Sequence, residues 1–454
     1  MQSGAVAYPI FENGGNMKKL LSIAIAAAIG LSMPLFSACE EGPKDTIPEY
    51  GEDKTFLIGA WGDPPKNLSN YKTAKEMGLD FLFFSGGMGS DLYFDGLEYL
   101  EEVGLKAMLT TGSAISTEVN FDRETDYSEY PAVIGINYWD EPSLKTMEKV
   151  NELSEWHIEK YKDTDVAFYA NLFPYTDQIG GSYQEYLDAY CEIMNKVHEA
   201  TGQDKWLSVD IYPLLSSKYG STVSTSWLTN LEEVAIAAQK NDADYFHSFI
   251  LSTQHGSYRN VDEDDFRYQF WVNMAFGANS ISYFTYTTGS NNSWGSGLVD
   301  KQGKPVEPNY SGAKKVNEEI HAIDDMYLSF EWEGMYPVTG SLNEDTLDGE
   351  SQYFYNLKNS LTELEKVKKA EATRDTLIGQ FHDEEGRKGY VVTNFADPYF
   401  KGADSANTVT LEFENVNTVL VYQNGEKEMY KVSDGKFTLQ LAGGEGAFII
   451  PLNI

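Results

Sequence analysis

The stretch that decides the fold is G-I-N-Y-W-D-E-P, residues 135–142, entered through the apolar run A-V-I-G-I at residues 132–136. A run rich in Val and Ile reads as a strand buried on both faces. This one ends abruptly in two carboxylates and a proline. Asp140 and Glu141 are therefore expected at the C-terminal end of a strand, which is where α/β proteins build their sites.

Outward from that strand, short apolar runs alternate with amphipathic helical patterns, as in a parallel sheet with helices outside it. Strands are predicted to begin near Phe56, Asp80, Lys106, Ala132, Val166, Trp206, Tyr245 and Ser280. Helices between them are supported by Leu144, Met147 and Val150, by Tyr183, Leu187, Cys191, Met194 and Val197, and by Ala313, Val316, Ile320 and Ile323. Residues 113–130 lack a helical period, and a long loop is expected there in place of the third helix. Eight strand-then-helix units over roughly 270 residues predict a (β/α)8 TIM barrel rather than an open doubly wound sheet. The barrel is expected to span residues 54–330. No G-x-G-x-x-G opens a helix, which removes the usual dinucleotide-binding reading. From residue 331 to 454 the pattern changes to alternating strands with tight turns at Asn424-Gly425 and Asp434-Gly435. That part is predicted to be a small antiparallel β-sandwich packed against the barrel.

A barrel of this kind carries polar and aromatic residues at its strand ends. Here they are Trp61, Asp63, Ser85, Thr110, Thr111, Asn137, Tyr138, Trp139, Asp140, Glu141, Tyr169, Asn171, Asp210, Tyr212, Gln254, His255, Tyr286 and Thr287, with Trp294 at the same rim. Paired carboxylates across a cleft are what glycoside hydrolysis needs, one protonated for the leaving oxygen and one ionised as nucleophile or base. Glu141, crowded by Asp140 and aromatic walls, is the expected acid. Asp210, two strands along, is the expected second carboxylate, with Asp63 in reserve. Trp61, Trp139, Tyr212, Tyr286 and Trp294 are candidate stacking faces for sugar rings. Asn137, Asp140, Asn171, Gln254 and His255 are candidate polar contacts to substrate.

The motif at residues 135–142 resembles the fourth-strand motif of clan A glycoside hydrolases, in which an Asn-Glu-Pro supplies the general acid/base. S-T-Q-H-G-S-Y-R and F-R-Y-Q-F-W-V-N-M-A-F-G-A-N-S-I-S-Y-F-T-Y, with G-L-V-D-K-Q-G-K-P-V-E-P-N-Y and K-K-V-N-E-E-I after them, resemble the seventh and eighth units of β-galactosidase-like barrels. The resemblance implies a TIM-barrel glycosidase with Glu141 as acid/base. Asp140 stands where the clan has Asn. Gln254 stands near the end of the seventh strand, where the clan has its nucleophilic Glu, and an amide cannot form a glycosyl ester. Two readings follow: Asp210 takes the second role, or the barrel is a non-catalytic glycan-binding protein.

Asp and Glu number 70 against 34 Lys and Arg, a formal net charge of -36. Such a field repels polyanions, which argues against nucleic acid and disfavours anionic polysaccharides as partners. A neutral oligosaccharide or polysaccharide is the expected partner. His157, His198 and His321 lack metal-ligand spacing, and residues 262–265 read as the capped start of the seventh helix, so neither metal nor cofactor is expected. Cys39 and Cys191 are the 2 cysteines, so no structural disulfide is expected, and Cys191 reads as a small buried hydrophobe.

Residues 1–39 read as an upstream extension and an export signal. Lys18 and Lys19 precede an apolar run and then L-F-S-A-C, and translation is expected to begin at Met17. The segment resembles a bacterial lipoprotein signal, with Cys39 as the acylated residue. Glu40-Glu41 resembles the surface-export signals of Bacteroidetes lipoproteins, which implies a lipid-anchored position on the cell outer membrane. Residues 40–53, polar with Pro43 and Pro48, read as a tether.

Overall fold

Eight parallel strands close into a barrel: β1 (Leu57–Trp61), β2 (Phe81–Phe84), β3 (Lys106–Thr110), β4 (Val133–Asp140), β5 (Ala167–Leu172), β6 (Trp206–Asp210), β7 (Tyr245–Leu251) and β8 (Ser280–Phe284), with β8 returning to pair β1. These are the eight strands expected from the sequence. The structure, a computed structural model, describes residues 45–51, 54–110, 124–291, 293–344 and 346–454. Cys39, its leader and residues 113–123 lie outside the described residues.

Helices α1 (Leu68–Glu76), α2 (Asp91–Val103), α3 (Met147–Tyr161), α4 (Tyr183–Thr201), α5 (Trp227–Lys240), α6 (Glu263–Ala275) and α7 (Asn309–His321) cover the barrel, and a short α8 (Asp324–Tyr327) follows. Tyr183, Leu187, Cys191, Met194 and Val197 all lie buried on α4, and burial pushes the Cys191 thiol up to about 12. Between β3 and β4 the described residues hold a single 3-10 turn, Tyr127–Glu129. The acidic residues 262–265 do cap a helix: Asp262 accepts from the backbone of Asp264 and Asp265, and the Asp265 side chain accepts from the Asp262 N–H.

The barrel interior is filled by large rings, among them Phe81, Phe83, Tyr169, Trp206 and Phe249, with Met108 and Ala167 between them. This crowding is what β4 must pass. A Cβ at Gly135 would meet Met108 Sδ at 2.9 Å and the Ala167 carbonyl at 3.0 Å, an approach that glycine alone permits. β4 also carries an irregularity in its register with each neighbour, before Gly135 against β3 and between Asn137 and Trp139 against β5. The second one turns Asp140 to pair with Asn171.

The C-terminal part contains β9 (Phe330–Val338), a small hairpin of β10 (Thr346–Leu347) and β11 (Glu350–Ser351), β12 (Val367–Ala372), β13 (Thr376–Asp383), β14 (Lys388–Asn394), β15 (Asn407–Phe413), β16 (Thr418–Gln423), β17 (Glu426–Lys431), β18 (Lys436–Leu441) and β19 (Gly446–Leu452). Six form one antiparallel sheet in the order β17-β16-β19-β14-β13-β9, and three form another, β12-β15-β18. Ile378, Tyr390, Val392 and Ile449 of the larger sheet pack against Val409, Leu411, Phe437 and Leu439 of the smaller, which makes the expected sandwich. Both turns carry the left-handed backbone that Asn-Gly and Asp-Gly favour. Only Asn424-Gly425 joins paired strands. Asp434-Gly435 is a corner at which the chain leaves β17 and enters β18 in the other sheet.

The larger sheet's other face, with Leu377, Phe381, Val391, Phe448 and Ile450, shares one core with the barrel helices. α6 is the element caught between them, and every residue from Asp265 to Ala275 is buried. Its polar side chains are paired accordingly. Gln269 closes two hydrogen bonds onto Leu251, and Arg267 reaches Glu263 and Glu319. The strand passes so close that a Cβ at Gly379 would sit 2.3 Å from the Ala275 carbonyl oxygen.

The tether reading needs correction over residues 45–51. Asp45 exchanges hydrogen bonds with Asn453, its N–H donating to the carbonyl at 2.8 Å and its carboxylate accepting at 2.7 Å. Tyr50 packs on Phe330 at 5.5 Å and Pro48 is buried. These side chains fold onto the C-terminal part because they offer rings and a paired carboxylate, whatever the local lack of an apolar period.

Candidate active site

Three carboxyl groups meet at the mouth of the barrel. Asp140 ends β4, and its Oδ1 accepts from Asn171 Nδ2 at 3.0 Å. Glu141 follows with φ +55°, a left-handed conformation that is uncommon for a residue with a side chain, and its N–H donates to the Asn171 carbonyl at 2.8 Å. Strain of this kind, about 1–3 kcal/mol, persists where the surroundings over-determine it, and it clusters at functional sites. Asp210 ends β6, on the same inward-facing alternation as Trp206 and Ser208.

The three groups act on one another. Burial, then the charge of Asp140, pushes Glu141 up from its ordinary value to about 7. Burial pushes Asp140 up, and Asn171 partly offsets it. Asp210 is pushed well up by burial, compounded by Glu141 and Asp140, with Tyr212 and Asn171 pulling the other way. Tyr212 Oη and Asp210 Oδ1 are each buried without a hydrogen-bond partner among the described residues, and the charge of Asp210 bears on the Tyr212 hydroxyl. The three groups are coupled and titrate together, each pushed above its ordinary value by burial.

Below the carboxyls a hydrogen-bond chain runs through the barrel. Ser208 Oγ donates to Asn171 Oδ1 at 2.9 Å, and the Tyr169 hydroxyl donates to Ser208. With both hydroxyl protons committed, His247 Nδ1, at 2.9 Å from Ser208 and 3.0 Å from Tyr169, must be the N–H side of a neutral ring. His247 Nε2 then accepts from Ser282 Oγ at 2.9 Å. Burial holds the His247 pKa down to about 3, consistent with that neutral form. The chain fixes Asn171 so that its amide N–H faces Asp140.

The wall beside Asp210 is aromatic. Tyr212 lies 5.7 Å from His255, 5.5 Å from Tyr258 and 5.4 Å from Phe284, and Trp294 covers His255 at 4.8 Å. Trp61 faces inward onto Phe83 at 5.0 Å and Phe249 at 6.0 Å. Asn137 is buried on β4, and neither end of its amide has a partner among the described residues. A buried unpaired amide costs about 1–3 kcal/mol, which a water or a ligand hydroxyl would relieve.

Three expected site residues stand elsewhere or are otherwise engaged. Tyr286 is fully buried and Trp139 is 7% exposed, both in the core between barrel and helices, because the chain turns their rings outward. Asp63 accepts from Lys66 at 2.7 Å and from the Ser85 N–H and hydroxyl at 3.2 and 3.0 Å. It clamps the loops after β1 and β2, so its carboxylate is occupied. Gln254, in the loop after β7, has its backbone carbonyl held by the Gly295 N–H at 2.7 Å and lines a groove at the barrel mouth.

Comparison with known proteins finds no match to a protein-family model and none to a curated protein. Solved structures do match. They include a GH30 endoxylanase from Clostridium papyrosolvens C71, 11% identical over 89% of this chain and 98% of that one, with a TM-score of 0.43. A family 39 glycoside hydrolase from Bacteroides cellulosilyticus WH2 is 12% identical over 89% and 83%, with a TM-score of 0.41. An endo-β-1,4-mannanase from Thermotoga petrophila is 9% identical over 86% and 98%, with a TM-score of 0.40. These likenesses concern the fold.

Sequence reasoning placed Tyr169 at a strand end without giving it a role, and passed over Ser208, His247, Ser282, Tyr258 and Phe284. A signal for most of them exists. Tyr169 stands two residues before Asn171, Ser208 two before Asp210 and Ser282 two before Phe284, so the period of a strand puts each pair on one face. A polar residue at that offset inside an apolar run marks a polar layer under the site.

Proposed function

We propose that this protein is a glycoside hydrolase that cleaves O-glycosidic bonds of a neutral glycan, with Glu141 and Asp210 as its catalytic carboxyls. The observation that carries this reading is the coupling of Asp140, Glu141 and Asp210 in one barrel mouth beside an aromatic wall. Such a unit holds a proton at neutral pH for a leaving oxygen and can surrender another to make a nucleophile or base. Glu141 is the more accessible member, whereas Asp210 Oδ1 is sealed from solvent, so Glu141 is assigned as the proton donor and Asp210 as its partner. Asp140, held by Asn171, orients and electrostatically tunes Glu141. Cys39 is proposed as a lipid anchor that places the enzyme on the outer face of the cell outer membrane.

A second reading, a glycan-binding protein without catalysis, is favoured by Gln254, the amide near the end of the seventh strand. One experiment separates the two: reducing-sugar release from a panel of neutral polysaccharides by wild type, Glu141→Gln and Asp210→Asn. Release by wild type that both substitutions abolish supports the enzyme. Binding to a polysaccharide without release from any of them supports the second reading and refutes the first.

A further inference from the structure

Beyond Tyr258 the barrel mouth opens into a groove of about 370 Å³, lined by Ser216, Lys218, Gln254, Tyr258, Arg259 and Tyr399. That volume lies in the range of roughly 300–1,000 Å³ usual for ligand sites. All of these residues belong to the loops after β6 and β7 except Tyr399, which comes from the sandwich. Tyr258 connects the groove to the carboxyls: its ring stands against Tyr212 and His255, and the charges of Asp210 and Glu141 reach its hydroxyl.

The groove is rigidly framed. Leu215 and Tyr258 form an isolated β-bridge, and the Ser216 N–H donates to the Ser257 carbonyl at 2.9 Å. Arg259 donates to Asp265 at 2.6 Å on α6 and to both oxygens of Asp397 in the sandwich, at 2.7 and 3.1 Å. Asp397 in turn accepts from the Tyr399 N–H at 3.0 Å. Tyr399 lies 5.2 Å from the Arg259 guanidinium and 5.3 Å from Phe400, yet the two rings remain 46% and 53% exposed. A large ring held open on a pre-ordered corner, as Tyr399 is here, is a means by which proteins grip flat apolar faces at low entropic cost. Of the nearby cations, Arg259 is shared by two carboxylates and Lys401 is taken by Asp262 and Asp264, while Lys218 lies over the Tyr219 ring at 4.9 Å. With the Arg259 and Lys401 charges paired, what the corner itself offers a ligand is the Tyr399 ring.

We propose that the sandwich completes the glycan cleft, with Tyr399 stacking on a sugar unit of a neutral polysaccharide that runs from the Glu141 and Asp210 carboxyls past Tyr258 and along this groove. This inference rests on the glycosidase reading of the mouth and narrows its substrate to a chain several sugars long.

The test is affinity electrophoresis of the Glu141→Gln protein, which leaves the matrix uncut, through gels holding galactomannan, arabinoxylan, β-1,4-galactan or barley β-glucan. At least one polysaccharide is expected to retard the protein. Adding Tyr399→Ala is expected to weaken that affinity about tenfold with an unchanged thermal midpoint, and Tyr399→Phe, which keeps the ring, to preserve it. Equal retardation of the Tyr399→Ala protein would overturn the inference and leave the glycosidase reading standing. Loss of affinity in Tyr399→Phe as well would overturn stacking as the cause. If no gel retards the protein and wild type releases no reducing ends from the same four polysaccharides, the glycosidase reading falls, and this inference with it.

Discussion

Replacing Glu141 by Gln should stabilise the protein at alkaline pH while it removes activity. The folded state holds this carboxyl at about 7, against an ordinary value of 4.5. Between those two pH values the unfolded chain has released a proton that the folded chain still holds, so stability falls as pH rises through the window. Once Glu141 is ionised in both states, the cost of keeping it buried beside Asp140 amounts to about 3 kcal/mol. Gln has nearly the same shape and never carries the charge. Taking roughly 2.1 cal/mol/K per residue for the unfolding entropy, a chain of this size shifts its melting temperature by about 1 °C for each kcal/mol. Scanning calorimetry of wild type and Glu141→Gln should show nearly equal midpoints at pH 4.5, and the variant should melt about 3 °C higher at pH 8.5. A difference that does not change with pH, or a variant less stable at pH 8.5, would refute the assignment of a raised pKa to Glu141 and with it the poised acid.

Three further outcomes follow from the same geometry. The alkaline limb of kcat/KM should lie near 7, where Glu141 loses its proton, and Asp140→Asn, which removes the charge that raises Glu141, should move that limb to lower pH; movement the other way contradicts the coupling. Asn171→Leu leaves Asp140 Oδ1 and Ser208 Oγ without their partner, at a cost of about 1–3 kcal/mol in urea unfolding, and should also lower kcat; an unchanged kcat would show that the hydrogen-bond chain does not orient the site. Arg259→Met strands two buried carboxylates, Asp265 and Asp397, and should destabilise by about 3–5 kcal/mol in chemical denaturation, whereas a loss below 1 kcal/mol would show that the sandwich corner is held by other contacts.

The barrel was legible because each strand is a short apolar run bounded by polar residues, and a strand buried on both faces needs nothing else. The sandwich was legible where alternation is clean, as in β15 and β18, and where a short apolar run stands between turns, as in β16 and β19. β13 and β14 escaped notice because, although covered on both faces, they carry buried polar residues, among them Thr376, Gln380, Lys388, Thr393 and Asn394, which break the apolar run without giving an alternation. α6 shows the same effect in a helix, where full burial leaves no stripe to detect. Glu141, Asp140 and Asp210 were readable as strand ends. Trp139 and Tyr286 were misplaced because an irregularity in β4 and the turn after β8 reverse the facing that simple alternation gives. Asp63 looked free because its partners, Lys66 and Ser85, come together only when the first two βα loops meet.

The most direct test of the central claim is digestion of a neutral polysaccharide in water enriched in oxygen-18, followed by mass spectrometry of the products. Wild type is expected to create new reducing ends whose anomeric carbon carries the heavy oxygen, and Glu141→Gln to create them at least about 100-fold more slowly. No labelled ends from wild type on any neutral polysaccharide, or equal labelling by the two proteins, would contradict the account.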